Sequence, residues 1–186
     1  MFHRIAQVCQ TIFILFILIY SLLLIWSPGV FAETISGKAR VIDGDTIEIN
    51  NEKIRLACID TPESNYKGKT QYCLDNETDC GKLAKEALER MIGTDKVRCQ
   101  YTKRDIYGRI LGECQKHYSL YIFDYWGTFN YALLEQGYAW YYNGGKECNN
   151  YKSVFDVARV QGYGLFNSEL GGFKEPKLWR KTRSND

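Results

Sequence analysis

The chain has 186 residues, 45% of them hydrophobic and 25% charged with only 3 Pro, which suits one folded domain of roughly 100 to 200 residues and excludes a disordered tail. Lys and Arg total 24 against 22 Asp and Glu, a formal charge of +2, so no polybasic coat for nucleic acid exists and any phosphate affinity must come from a local cluster. Aromatic residues make up 15%, with 14 Tyr, enough for a dense core or for a surface that stacks on rings.

At the N-terminus, His3 and Arg4 precede an apolar run over 12–26, then Pro28, Gly29 and a small-residue site ending at Ala32. This order predicts a signal peptide over 1–32 with cleavage after Ala32, and export to the periplasm or the medium. The alternative is a retained N-terminal membrane anchor, but the run is shorter than the roughly 20 apolar residues of a spanning helix. Membrane contact is expected only through this segment. Of the 7 Cys, Cys9 falls in the leader, and Cys58, Cys73, Cys80, Cys99, Cys114 and Cys148 remain as an even set for an oxidising compartment. Cys73 and Cys80 flank one polar loop and Cys99 and Cys114 flank a predicted hairpin, which leaves Cys58 to pair with Cys148. Zinc is the rival reading; it is opposed by the lack of any Cys-x-x-Cys pair and by a single His, His117, beyond the leader.

Short strands are predicted over 38–42, 46–50 and 53–59, where Ile47 and Ile49, then Ile54 and Leu56, alternate with polar residues. Asp43-Gly44-Asp45 separates the first two, and Asp60-Thr61-Pro62-Glu63 stops the third, because Pro lacks a ladder donor. A polar loop carries Gly68, Cys73 and Cys80. Helical spacing of Leu83, Ala84, Ala87, Leu88, Met91 and Ile92 predicts a helix over 82–92, stopped by Gly93. Strands follow over 96–101 and 109–114 around Asp105-Ile106-Tyr107-Gly108, and the aromatic segment 118–126 reads as strand or packed loop. A short helix over 130–136 and a third over 151–161 end at Gly137 and Gly162. The tail with Pro176 and Trp179 is expected on the surface. The predicted class is α+β, mainly β: a five-stranded Greek-key barrel of the OB type with about three helices, over 33–180, and a short polar tail over 181–186.

The chemistry gathers where acids and arginines meet at strand ends. A hairpin brings the start of one strand beside the finish of the next, so Asp45 and Asp60 should converge, and paired carboxylates without His or Cys select a hard cation, Ca²⁺ or Mg²⁺. Thr61 can add its carbonyl. On its own Asp-Gly-Asp would be a surface turn. Arg55, Glu63 and Arg109 fall nearby: two guanidinium groups to hold a phosphate and a carboxylate to accept a proton from water. Each arginine alone would be an ordinary surface ion pair.

Val41-Ile42-Asp43-Gly44-Asp45-Thr46, Arg55-Leu56 with Asp60-Thr61-Pro62-Glu63, and Asp105-Ile106-Tyr107-Gly108-Arg109, in this order, resemble the thermonuclease (staphylococcal nuclease-like) family. The similarity continues through Asn130, Leu133, Leu134, Gly137 and Ala139 and from Ala158 to Leu165. It implies an OB-fold domain and Ca²⁺-dependent hydrolysis of DNA and RNA that leaves 3′-phosphate ends. It also implies Asp45, Asp60 and the Thr61 carbonyl as calcium ligands, Glu63 as general base and Arg55 and Arg109 as phosphate-binding arginines. Asp43 would lie near the cation and act through water. Tyr107 and Tyr141 or Tyr142 resemble the tyrosines around the nucleotide, although a core role is open for Tyr141 and Tyr142. The 73–80 loop and the stretch between Cys114 and Asn130 look longer than in the compact family pattern.

The reading is therefore a secreted, calcium-dependent endonuclease with little sequence specificity. DNA and RNA are its substrates; no protein partner is expected, and the chain is expected to be a monomer. The alternatives are a non-catalytic nucleic-acid-binding OB module, which would typically lack these acids, and a disulfide-stapled structural module.

Overall fold

The computed structural model describes residues 12–17, 19–20, 32–120 and 123–183, with 118–120 and 123–126 described as backbone. Most of the expected signal peptide, and its cleavage site up to Phe31, lie outside these; 12–17 and 19–20 are helical. Met1–Phe31 and Ala32–Asp186 are separate units. Among the described residues no helix is long and apolar enough to cross a membrane. The rest concerns the second unit.

Alternation builds the first hairpins as expected. In β2 (Arg40–Asp43), β3 (Thr46–Ile49) and β4 (Glu52–Leu56), Ile47, Ile49, Ile54 and Leu56 are buried while Lys53 faces solvent. Asn50 and Asn51 join β3 to β4 with φ of 52° and 65°, the left-handed pair that a tight hairpin turn requires and that Asn tolerates. The predicted strand over 53–59 is broken. Cys58 takes φ of 67° and turns the chain, so β4 ends at Leu56 and a separate β5 (Ile59–Asp60) follows. β5 pairs with β9 (Trp140–Tyr141) in a small two-stranded sheet.

The larger sheet has seven strands, ordered β1-β6-β7-β4-β3-β2, with β8 also on β7. β1 (Glu33–Lys38) pairs with β6 (Lys96–Arg104), and β6 with β7 (Ile110–Leu120), both antiparallel. The start of β7 lies parallel to β4, Ile54 opposite Ile110, and its far half pairs with β8 (Phe123–Thr128). The α+β, mainly β class therefore holds, but the ladders do not close into the expected five-stranded barrel. β7 spends its outer half on β8, and β1 and β2 end the path. Within the aromatic stretch the described residues are strand: 118–120 end β7 and 123–126 lie in β8.

Helix α1 (Cys80–Ile92) starts two residues before the expected helix, because Asp79 caps it by accepting from the Lys82 N–H at 2.7 Å. It buries Ala84 in a smaller cluster with Cys73, Cys80, Leu165 and Phe173, and Ala87, Leu88 and Ile92 in the main core. Helix α2 (Phe129–Glu135) contributes Phe129, Leu133 and Leu134 to the same core, and α3 (Asn149–Gln161) contributes Phe155 and Ala158. Trp140, Phe155, Phe166 and Phe173 form a chain of ring contacts beside them, with centroids 5.0 to 6.1 Å apart. The three expected disulfides, Cys58–Cys148, Cys73–Cys80 and Cys99–Cys114, are present.

The tail departs from expectation. Residues Pro176–Arg183 form helix α4, and Trp179 is only 6% exposed, packed edge-on against Tyr66. Pro supplies its fixed φ at the helix start, and Trp179 lies one turn on, facing inward. The helix runs across the expected boundary between 180 and 181.

Asn130 is the polar rivet of the core. Its Oδ1 accepts from the Cys114 N–H at 3.0 Å, and its Nδ2 donates to the Ala57 and Gly112 carbonyls at 2.8 and 3.1 Å. With the side chain buried, Asn130→Ala takes away the partner of the Cys114 N–H and of the Ala57 carbonyl, while the Gly112 carbonyl keeps the Ala57 N–H at 2.9 Å. We expect a loss of about 3 kcal/mol of unfolding free energy in denaturant titration, well beyond the ~1 kcal/mol of a typical substitution.

Candidate active site

A cleft of about 770 Å³ opens where the turns before β3, after β5 and before β7 meet α4. Asp43, Asp45, Arg55 and Glu63 form its acidic and basic floor; Tyr66, Tyr107, Tyr142, Arg109, Lys177 and Arg180 line its walls.

The β3–β4 register places Thr46 opposite Arg55, and the Leu56 N–H donates to the Asp45 carbonyl at 2.8 Å. Arg55 therefore rises beside Asp45. Its Nη1 donates to Asp45 Oδ2 at 2.7 Å and its Nη2 to Asp60 Oδ1 at 2.6 Å. The two carboxylates singled out in the sequence thus face one guanidinium, and both are nearly inaccessible. Thr46 Oγ1 donates to Asp45 Oδ1 at 2.9 Å, and the Thr61 N–H to Asp45 Oδ2 at 3.4 Å. Gly44 is required here, since a Cβ would stand 2.7 Å from Thr61 Oγ1.

Glu63 follows on a loop held from three directions. Its N–H donates to Gln71 Oε1 at 3.3 Å, and its carbonyl accepts from the Gln71 N–H at 2.9 Å. Gln71, fully buried, donates its Nε2 to the Lys174 carbonyl at 2.7 Å, tying this loop to the chain just before α4. Gly81 in α1 backs the loop so closely that a Cβ would collide with the Glu63 carbonyl. Asp43 caps the neighbouring turn, accepting from the Gly44 and Ser64 N–H groups at 2.9 and 3.4 Å.

Arg109 lines the same cleft but is paired with Asp105, through Nε and Nη2 at 2.7 Å each. Its guanidinium also lies 5.5 Å from the Tyr107 ring centroid, and Tyr107 is 77% exposed. The two candidate tyrosines of β9 and its end separate. Tyr142 lines the cleft, with the Lys177 ammonium 5.6 Å from its ring centroid, whereas Tyr141 pairs with Ile59 and packs on the core.

Arg180 is the residue the sequence did not disclose. Its Nη2 donates to Asp60 Oδ2 at 2.7 Å, its Nη1 to Asp60 Oδ1 at 3.2 Å, and Nη1 also contacts Glu63 Oε1. The available signal was indirect: Pro176 opening a helix and Trp179 turned inward leave the next residue beside the buried face.

Residues 53–168 match the family described as staphylococcal nuclease homologue. The chain belongs to that family. The match includes Arg55, Asp60, Glu63 and Arg109, whereas Asp43 and Asp45 precede it and Arg180 follows it. Over 170 residues the homologue is 30% identical to an Escherichia coli protein described as an uncharacterized endonuclease, covering 87% of this chain and 95% of that one. It is 28% identical over 172 residues to Protein ParB of Escherichia coli, covering 89% of each. Similarity of 42% over 87 residues links it to the succinoglycan biosynthesis protein ExoI of Rhizobium meliloti (strain 1021), over 45% of this chain and 43% of that protein, less than half its length.

The electrostatics of this nuclease homologue are those of crowded acid. Burial raises the Asp43 carboxyl above its ordinary range, and the neighbouring Asp45 adds to this. Burial likewise lifts Glu63 to about 7, opposed by the Arg180 hydrogen bond and reinforced by Asp45 and Asp43. Arg55 is held even more firmly protonated than usual: burial works against its charge, but Asp45 and Asp60 outweigh it. Asp45, Asp60 and Glu63 thus share two guanidinium groups, Arg55 and Arg180, with the Asp43 carboxyl close by on backbone N–H groups. Among the described residues no group of three His, Cys, Asp or Glu is clustered as a ready ligand set. Asp45 and Asp60 are an all-oxygen pair, the donor chemistry that suits a hard cation rather than zinc, and they are the residues that could hold one.

A carboxyl raised in the fold stabilises it fully below its ordinary value of 4.5, and that contribution is lost as pH rises through about 7. Glu63→Gln should therefore be more stable than the parent at pH 8 in chelator, by on the order of 2 kcal/mol. The gain should shrink as pH falls and vanish near the ordinary value. Thermal melts across this range check the sign.

Proposed function

We propose that this nuclease homologue is an exported, Ca²⁺-dependent endonuclease that hydrolyses phosphodiester bonds in DNA and RNA with little sequence preference. The observation that carries the reading is the single guanidinium of Arg55 held between Asp45 and Asp60, with Glu63 and Arg109 lining the cleft beside it. Family membership and the likeness to an endonuclease support the reaction class.

Asp45, Asp60 and the Thr61 carbonyl would hold the cation, which when bound polarises a phosphoryl oxygen and offsets developing negative charge. The remaining work falls to the chain. Glu63, raised to about 7 by burial, is a strong enough base to take a proton from the attacking water near neutral pH. As the water oxygen bonds to phosphorus, that proton passes to a Glu63 carboxylate oxygen, and the bond to the 5′ oxygen breaks; the 5′ oxygen leaves with a proton from solvent and the phosphate stays on the 3′ side. Arg55 and Arg109 grip the non-bridging oxygens, exchanging their carboxylate partners for phosphate, which suits the same fork geometry. Tyr107 and Tyr142, exposed on the cleft wall, offer ring faces to bases. Stacking and phosphate contacts read no base edge, so the preference is for unpaired or fraying strands over any sequence.

Export rests on the N-terminal pattern and on three disulfides, which need an oxidising compartment. Intact-mass measurement of the exported protein should give a chain beginning at Glu33.

Degradation of single-stranded DNA and RNA should cease in a calcium chelator and return with excess Ca²⁺; undiminished cleavage in chelator would refute the cation's role. Glu63→Gln should lower turnover about 10² to 10⁴-fold with little change in substrate binding. Arg109→Ala should lower it about 10² to 10³-fold, read from initial rates at saturating substrate.

A further inference from the structure

Helix α4 is docked by its apolar side. Trp179 is buried against Tyr66, and the chain before the helix is fastened through the Lys174 carbonyl to Gln71. This leaves Arg180 directed into the cleft, its side chain 23% exposed, between Lys177 and Lys181 on the same wall.

Both oxygens of Asp60 are engaged by guanidinium groups. Oδ1 accepts from Arg55 and Arg180, and Oδ2 from Arg180 at 2.7 Å. Arg55 has a second carboxylate in Asp45, whereas the carboxylates that Arg180 meets among the described residues are Asp60 and Glu63. A hard cation that takes Asp60 must therefore compete with Arg180 for its oxygens. Once released, a forked guanidinium in a cleft that binds phosphate has an equally good partner there.

We propose that Arg180 is a third substrate-contacting arginine, held on Asp60 and Glu63 until a divalent cation claims Asp60, and then turned onto a phosphate oxygen of the nucleic acid. This rests on the reading of Asp60 as a cation ligand, and it adds a coupling. Cation binding frees Arg180 for phosphate, and phosphate keeps Arg180 from returning to Asp60. Each ligand therefore tightens the other. Arg180 lies beyond the residues matched to the family, on the C-terminal helix.

The test is calorimetric, on the full mature protein, and does not depend on turnover. Ca²⁺ is titrated alone, and a phosphorothioate-linked dinucleotide is titrated both without Ca²⁺ and with Ca²⁺ saturating, which gives the coupling between them. In Arg180→Ala, Ca²⁺ alone should bind about 10-fold tighter, because its competitor is gone, while the dinucleotide should bind about 10-fold weaker, as loss of a charge-assisted phosphate contact implies. The mutual tightening seen in the parent should shrink by a similar factor. Arg180→Lys, which keeps the charge and loses the fork, should fall between and serves if the alanine variant fails to fold. Unchanged or weaker Ca²⁺ binding, or an unchanged dinucleotide affinity, would make Arg180 a brace for α4 and overturn the proposal. A parent protein that binds no Ca²⁺ would instead overturn the reading of Asp60 as a ligand, and this proposal with it.

Discussion

Arg55 stands between Asp45 and Asp60, two carboxylates almost sealed from water, and gives each of them a charged partner. Breaking a buried pair of this kind by removing one partner leaves an uncompensated charge and typically costs about 3 to 5 kcal/mol. The geometry follows from the ladder. Arg55 faces Thr46 across β3 and β4, the next residue of β4 bonds to the Asp45 carbonyl, and the turn at Cys58 brings Asp60 back toward the same guanidinium. Glu63 meets that triad through Arg180, while Asp105, also on the cleft, pairs with Arg109.

What the chain order revealed, and what it hid, follows from how local each signal is. Asp43, Asp45, Asp60 and Glu63 sit beside Gly44 and Pro62, strong turn markers, so their gathering at strand ends could be read directly. The strand hairpins and the three helices with regular apolar spacing were equally plain. β1 was not, because among Glu33–Lys38 only Ile35 packs against the core and the rest are small or polar. β9 is two residues long and exists only because β5 is there to pair with it. The break at Cys58 has no local marker, since a cysteine with positive φ is dictated by its surroundings. Tyr141 and Tyr142 could not be told apart, because which neighbour faces inward in so short a strand depends on the partner strand. Arg180 is the largest omission: its role depends on Trp179 anchoring a helix more than a hundred positions from the acids it meets, and no local pattern encodes that distance.

The cleft also shows a conflict between folding and chemistry. Burial and like charge work against Glu63 as an ion, whereas a proton acceptor must be ionised to act. Arg180 eases this conflict by pairing with Glu63, and Gln71 keeps the loop from drifting outward to relieve it. Gln71 bridges the Glu63 loop and the approach to α4 through hydrogen bonds to both.

The crosslink between Cys58 and Cys148 spans 90 positions, the widest of the three, and it clamps the bend that delivers Asp60. By loop-closure entropy alone such a staple is worth about 4 to 5 kcal/mol. Material made in a reducing cytosol would lack it next to the acid centre, so the choice of production host becomes a chemical variable, and an inert preparation from that source would reflect its redox history before it reflected the enzyme.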